Sequence, residues 1–303
     1  MDYQEIGRIV REIRISLNMS QQELARDICT QGNLSRIEKG EIIPNAALLY
    51  ELSQRLNVEV DYFFKRIAST RNDYADETCK HIRKLIRERD YIQLKEVISR
   101  EKKNPQFQHY PHNQFLQWHE GVVEYYVNND FQRALHLLYN AIQYESSSKF
   151  YTKQQIEIMN SIGILQYEER EFDKSIEMFE QCLRMISHSP LFDDFSVKTR
   201  IHYNIAKSFY KCERDSDALV HTRKGIQSCL ANESLYLLGE LYFQHALSLI
   251  RSGRSEDKVL QCLHHALHVF DLQKKTNFSS VVQETLRLYQ AGQLPIEYTS
   301  YTS

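Results

Sequence analysis

The chain has 303 residues, with 38 Lys and Arg against 40 Asp and Glu, and a formal net charge of -2 at pH 7. This length exceeds that of one ordinary hydrophobic core and allows a small domain followed by a larger one. The charge balance excludes a general attraction to nucleic acid, so any such contact requires a local surface.

Composition favours helices and a reduced, intracellular setting. Nine glycines and five prolines are few for a chain of this length. The six cysteines occur singly, with no Cys-x-x-Cys pair, which is typical of reduced thiols in a cytosolic protein. The N-terminus carries charge throughout, and no long uncharged apolar run occurs. The sequence therefore predicts a cytoplasmic protein that does not contact the membrane.

Apolar residues recur at helical spacing through the first 66 residues. The first helix carries a stripe of Ile6, Ile9, Val10, Ile13 and Leu17. Ser20 and Glu23 form an S-x-x-E capping box that opens a second helix. A third helix is predicted from about Gln31 to Lys39, and Asn45 caps a fourth. Together these helices predict a small helical domain.

The strings SQQELARDIC and NLSRIEKGEIIPN, from Ser20 to Asn45, resemble the helix-turn-helix of the XRE/Cro repressor family. One departure is that the chain is a residue shorter between Leu24 and Ile37 than most of that family. The resemblance implies that the third helix enters the major groove of double-stranded DNA.

Six residues are then the candidate DNA-binding residues. Gln31, Asn33 and Arg36 are predicted to read base edges, because Gln and Asn can bond adenine and Arg can bond guanine. Gly32 would allow close approach to DNA, and Gln21 and Ser35 would contact phosphates. The first 66 residues carry nine Lys or Arg against ten Asp or Glu, so one copy cannot hold DNA by charge alone. We therefore expect a homodimer on a two-fold operator.

Residues 67–76 lose the apolar periodicity and are the best candidate for a linker. The expected division is a helix-turn-helix domain at 1–66, the linker at 67–76, a repeat domain at 77–292 and a tail at 293–303. Basic residues follow the linker, Arg83 and Arg87 among them. They form either a solvated face or a site for an anion such as a peptide carboxylate.

A repeat of 40 to 43 residues organises the rest of the chain. Small or apolar residues open the second helix of each unit at Leu94, Ala134, Ser175, Ala218 and Val259. The pattern is that of a tetratricopeptide repeat (TPR), a helical hairpin that must stack on copies of itself to bury its apolar face. We predict an all-α fold, in which the helix-turn-helix domain precedes a superhelical array of about five degenerate TPR repeats. A C-terminal capping helix is expected from Phe278 to Tyr289.

His109 and His112 lie in a predicted loop from Lys103 to Gln114. Their spacing suits a metal, but they have no supporting Cys or carboxylate, so we expect neither a metal nor another cofactor.

A helix-turn-helix followed by long TPR units, with strings such as FLQW from Phe115, YNIAK from Tyr203 and GELYFQ from Gly239, resembles the RRNPP family of quorum-sensing regulators. That resemblance implies a cytoplasmic DNA-binding homodimer whose TPR groove binds a short imported signalling peptide.

The first helix of each TPR hairpin lines the concave groove. The candidate peptide-binding residues are Arg83, Arg87, Tyr126, Asn160, Tyr167, Asn204, Lys207, Phe243 and Gln244, with His119, Tyr203 and Tyr210 on the same face. Asn is a poor helix former, and its amide can pair with both the N–H and the C=O of an extended peptide. Asn204 also fits internal packing, whereas Asn160 favours a ligand.

An enzyme is not predicted, because the chain has no glycine-rich phosphate loop, GxSxG elbow or HExxH string. The main alternative is a DNA-bound regulator whose array docks another protein and senses no peptide.

Overall fold

The structure is a computed structural model that describes residues 4–143, 151–189, 192–253 and 255–293, without the side chains of 68–73. Most of the described residues are helical, and no β-strand occurs among them. The predicted tail lies outside the described residues from position 294 onward. The chain divides into two compact units, Met1–Asp90 with Lys103–His112 and Tyr91–Lys102 with Asn113–Ser303.

The first unit contains the helix-turn-helix. Its helices are α1 (Glu5–Ser16), α2 (Gln21–Ala25), α3 (Gln31–Glu38), α4 (Ala46–Arg55) and α5 (Val60–Glu88), with a 3₁₀ turn at Pro105–Phe107. Val10, Leu34 and Leu52 are fully buried in one cluster with Phe63. A Cβ at Gly7 would lie 1.7 Å from the Ile37 carbonyl oxygen, so α1 can approach α3 this closely only with glycine there.

Residues 67–76, the predicted linker, lie inside the continuous helix α5. The stretch contains neither Pro nor Gly, so nothing in it ends a helix. Ile67 and Ala75 are buried, which anchors both ends of the stretch. The absence of a regular apolar stripe was therefore a poor indicator of a non-helical linker.

The second unit is a succession of antiparallel helices. They are α6 (Tyr91–Glu101), α7 (His112–Tyr126), α8 (Phe131–Ile142), α9 (Lys153–Glu168), α10 (Phe172–Ser187), α11 (Phe195–Lys211), α12 (Asp215–Ala231), α13 (Leu238–Arg251), α14 (Glu256–Leu272) and α15 (Thr276–Gln290). Each helix from α8 to α14 packs against the next one in the chain, as expected of stacked hairpins. Helix α15 is the predicted capping helix.

The repeat markers confirm the TPR array. Leu94, Ala134, Ser175, Ala218 and Val259 are each the fourth residue of a helix, respectively α6, α8, α10, α12 and α14, and each is 0% exposed. Helices α7 to α14 form four complete hairpins. The helix that precedes α6 is α5, which belongs to the first unit.

Small residues set the distance between packed helices. A Cβ at Gly163 would lie 2.6 Å from the Phe179 ring, so α9 and α10 approach too closely for any larger residue. The Ser175 hydroxyl lies 3.0 Å from that of Ser208, which joins α10 to α11. Cys182 is completely buried, and burial raises the pKa of its thiol to about 12.

The predicted loop from Lys103 to Gln114 is partly helical. It contains the 3₁₀ turn, and α7 begins at His112. The ring of His112 lies 5.5 Å from that of Phe107, whereas His109 is exposed. Within the described ranges, no three His, Cys, Asp or Glu side chains are grouped so as to hold a metal ion. None of the helices in these ranges is long and apolar enough to cross a membrane.

Candidate DNA-reading helix and repeat-domain groove

Two short helices present the candidate DNA-binding residues. The predicted capping box opens α2, because the Glu23 amide donates to the Ser20 hydroxyl and the Ser20 amide to the Glu23 carboxylate. Helix α3 begins at Gln31. This establishes where the helix starts in a chain that is one residue shorter between Leu24 and Ile37 than most of the XRE/Cro family. Its cap is Thr30, whose hydroxyl accepts from the Asn33 amide at 3.2 Å.

Helix α3 separates into an inner and an outer face. Leu34 and Ile37 are fully buried, whereas Gln31, Gly32 and Arg36 are exposed. Asn33 and Ser35 are half-buried. Nothing lies within 4 Å of a Cβ built at Gly32, so this end of the helix is open to a large partner. The predicted base-reading residues therefore share an accessible surface, although their role remains a prediction.

A buried ion pair connects this surface to the domain core. Glu38 is 5% exposed and accepts from Arg14 Nε at 2.6 Å and Nη2 at 2.9 Å. This hydrogen bonding raises the pKa of the Arg14 guanidinium. The Gln21 amide donates to Glu38 at 2.7 Å, and its oxygen accepts from Gln31 at 3.0 Å. The network orients two candidate DNA contacts, and no local sequence signal indicated it.

On the second unit, the groove face is the side of α9, α11 and α13 that carries Asn160, Asn204 and Gln244. Asn160 is 4% exposed, and its oxygen accepts from the Asn204 amide at 3.0 Å. The two candidate residues, 44 positions apart, are thus in direct contact. Gln244 is 6% exposed, and its Nε2 atom is buried without a hydrogen-bond partner.

Aromatic and cationic residues surround the amides. Lys207 Nζ lies 4.7 Å from the centroid of the Tyr167 ring and 5.7 Å from that of Tyr203, a cation–π arrangement. Tyr126 stacks on Tyr91 with ring centroids 4.1 Å apart and donates to Glu168 at 2.8 Å. Burial, followed by nearby negative charge, raises the pKa of the Tyr126 hydroxyl, which therefore stays protonated at neutral pH.

The other groove candidates lie in different settings. Phe243 and Tyr210 are each 9% exposed and pack in hydrophobic clusters, and His119 is packed between Phe115 and Trp118. Arg83 and Arg87 are exposed on α5, in the first unit. The structure therefore groups Asn160, Asn204, Tyr167 and Lys207, but it does not group every predicted residue.

Residues 79–290 match the RNPP family C-terminal domain, and residues 10–63 match a helix-turn-helix domain. The chain belongs to the RNPP family. This result confirms the family predicted from the sequence. A comparison with curated proteins gave no match to the chain.

Solved structures share the fold of this RNPP protein. PlcR from Bacillus thuringiensis, in complex with the peptide PapR7 and DNA, is 23% identical with a TM-score of 0.79, covering 92% of this chain and 99% of PlcR. ComR from S. thermophilus, in complex with DNA and its signalling peptide ComS, is 15% identical with a TM-score of 0.64, covering 95% and 98%. The Streptococcus dysgalactiae pheromone receptor Rgg2 is 13% identical with a TM-score of 0.63, covering 93% and 98%.

The RNPP protein also carries charged residues beside the groove amides that the sequence reading missed. Arg200 Nη2 donates to Glu157 at 3.1 Å, and Lys275 Nζ donates to Glu240 at 2.7 Å. Glu240 is 9% exposed. The signal that could have revealed Glu157, Arg200 and Glu240 is their spacing of one helical turn from the amides.

Proposed function

We propose that this protein is a DNA-binding transcription regulator that acts as a homodimer and whose repeat domain senses a short signalling peptide. The main support is that one chain combines a helix-turn-helix with an RNPP C-terminal domain. PlcR, whose fold it shares along nearly the whole length, binds a peptide and DNA. Such a regulator works in the cytoplasm, where it can reach DNA, and we assign it no catalytic reaction.

In this proposal the outer face of α3 reads the operator. Gln31, Asn33 and Arg36 bond base edges, and Gln21 and Ser35 bond phosphates. The Arg36 side chain is 60% exposed, and its ion-pair contact with Glu41 is long, at 3.5 Å, so the guanidinium is available to guanine. The Gln21–Gln31 hydrogen bond holds a phosphate contact and a base contact in one geometry.

The peptide is proposed to lie along the groove face. The Asn160–Asn204 bond shows that two side-chain amides from neighbouring repeats meet there. A peptide backbone offers the same donor and acceptor groups as a side-chain amide, so it can replace this bond with bonds to both residues. Tyr167 and Lys207 flank the amides, and Phe243 and Tyr126 would contribute apolar surface.

A homodimer follows from the charge of the reading domain. Nine basic against ten acidic residues give one copy no net attraction to phosphate, so affinity must come from local contacts, and a second helix-turn-helix domain on the same duplex doubles their number. We expect half-sites about one or two helical turns apart. A monomer in sedimentation at micromolar concentration, with operator DNA present, would contradict this part of the proposal.

The proposal is tested by measuring operator affinity with and without the host's candidate peptides. Wild type should respond to one peptide by roughly 5- to 150-fold, the usual range of allosteric coupling. The double variant Asn160→Ala, Asn204→Ala should lose the response but keep its basal operator affinity. The control Asn277→Ala, at an exposed position on α15, should respond like wild type. If wild type and the double variant bind the operator with the same affinity, with and without peptide, the result would instead favour an array that docks another protein.

A further inference from the structure

A row of charged residues lies one helical turn before the groove amides. The pairs, one on each helix, are Glu157 with Asn160 on α9, Arg200 with Asn204 on α11, and Glu240 with Gln244 on α13. Residues three or four positions apart share a helix face. The charged row therefore continues the groove face towards the N-terminal ends of these helices.

Two ion pairs use only part of the bonding capacity of this row. Arg200 Nη2 bonds Glu157 Oε1 at 3.1 Å, and Lys275 Nζ bonds Glu240 Oε1 at 2.7 Å. Two other polar atoms of these pairs, Arg200 Nε and Glu240 Oε2, are buried and have no hydrogen-bond partner. Buried polar atoms are nearly always bonded, so an unbonded donor and an unbonded acceptor on adjacent helices are available to bond a ligand group.

The charges of the row balance. Two carboxylates face two cations, and the nearby Asp194 carboxylate is paired with Lys153 at 2.5 Å. A charged ligand group would leave one buried charge without compensation, which is costly. A neutral group that both accepts and donates satisfies the two free atoms without disturbing this balance.

On the basis of the proposed function, we propose that Arg200 and Glu240 form a specificity subsite for an uncharged hydrogen-bonding side chain of the peptide. The ligand group is a carboxamide or a hydroxyl, from Asn, Gln, Ser or Thr. Its oxygen accepts from Arg200 Nε, and its N–H or O–H donates to Glu240 Oε2.

Tyr236 lies beside the subsite. It is in the turn before α13 and is 36% exposed. Burial raises the pKa of its hydroxyl, and the charges of Arg200 and Glu240 also act on it. Its neighbour Leu237 adopts a left-handed conformation with a φ of 54°.

The test uses a library of synthetic peptides of five to eight residues, incubated with the full-length protein. Retained peptides are sequenced by mass spectrometry. Wild type should enrich Asn, Gln, Ser or Thr at one position by about three- to tenfold, as expected for one or two net hydrogen bonds. Apolar residues should dominate the other positions.

Glu240→Gln gives the sharper result. The variant keeps an oxygen for Lys275 but places an N–H where Oε2 was, so both free atoms become donors and the row gains one positive charge. The preferred residue at that position should then change to Asp or Glu. Glu284→Gln, which removes an exposed carboxylate on α15, should retain the wild-type preference.

The outcomes separate the two proposals. If wild type retains no peptide, the peptide-sensing function and the subsite are both refuted. If peptides are retained with the same preference by wild type and Glu240→Gln, only the subsite is refuted. Should Glu240→Gln fail to fold, Arg200→Lys serves instead, since it keeps the charge beside Glu157 but lacks Nε. It should lose the enrichment, and an unchanged enrichment would refute the subsite.

Discussion

The Arg14–Glu38 pair offers a quantitative test of how the reading domain is held together. Glu38→Ala removes the acceptor for two Arg14 nitrogens and for the Gln21 amide. The Arg14 side chain is only 11% exposed, so water cannot fully replace the lost carboxylate. Arg14 would retain the bond from Nη1 to the Met19 carbonyl oxygen at 2.7 Å.

We expect Glu38→Ala to lower the free energy of unfolding by about 3 kcal/mol, the lower end for removing one partner of a buried ion pair. The lower end applies because the partial exposure of Arg14 allows some rehydration. The matched control is Glu12→Ala. Glu12 pairs with Arg66 at 2.8 Å, but both side chains are 43% exposed, so this change should cost less than about 1 kcal/mol.

Urea unfolding followed by two probes locates the effect. The only tryptophan, Trp118, lies in the second unit, so its fluorescence reports on the repeat domain. Circular dichroism reports helices in both units. Glu38→Ala should bring an earlier transition in circular dichroism while the fluorescence transition stays in place. It should also weaken operator binding, because Gln21 and Gln31 lose their anchor. An unfolding change no larger than that of Glu12→Ala would refute the reasoning.

Arg36→Ala should cost roughly 1 to 3 kcal/mol on the operator and remove base preference at one position; in competition binding, an equal loss on every sequence would exclude base reading. Gly163→Ala forces a methyl group against an aromatic ring 2.6 Å away. It should destabilise the repeat domain by about 1–3 kcal/mol in urea unfolding followed by tryptophan fluorescence. Gly32→Ala, whose methyl group meets nothing within 4 Å, should not destabilise the protein. Burial lowers the pKa of His202 to about 3 and that of His221 to about 4, so both are neutral when folded. The stability that these two neutral histidines contribute should therefore be present above their ordinary pKa of 6.5 and be lost as the pH drops towards 4. Replacing both with Gln should weaken the pH dependence of stability in urea titrations at several pH values, whereas His245, whose pKa burial also lowers to about 4, keeps its own contribution.

Local signals were sufficient for the architecture. A capping box depends on residues three positions apart, and an amphipathic stripe depends on the helical period, so Ser20 and the repeat markers could be interpreted from the sequence directly. All five markers are completely buried at equivalent positions of their helices because the stacking of hairpins requires the same contact in each repeat. The outer position of Gln31 and Arg36 on α3 followed from the same periodicity.

Contacts between distant residues were decided only by the tertiary structure. Asn160 and Asn204 were identified as separate candidates, but their mutual bond depends on how α9 and α11 pack. The Glu38 network joins residues from three helices, and a carboxylate in α3 carries no local sign that it is buried. The continuity of α5 through residues 67–76 likewise required the anchoring of Ile67 and Ala75. Hydrogen-bond partners and burial depend on the surface that a helix meets after packing, and that surface comes from residues far away in the chain.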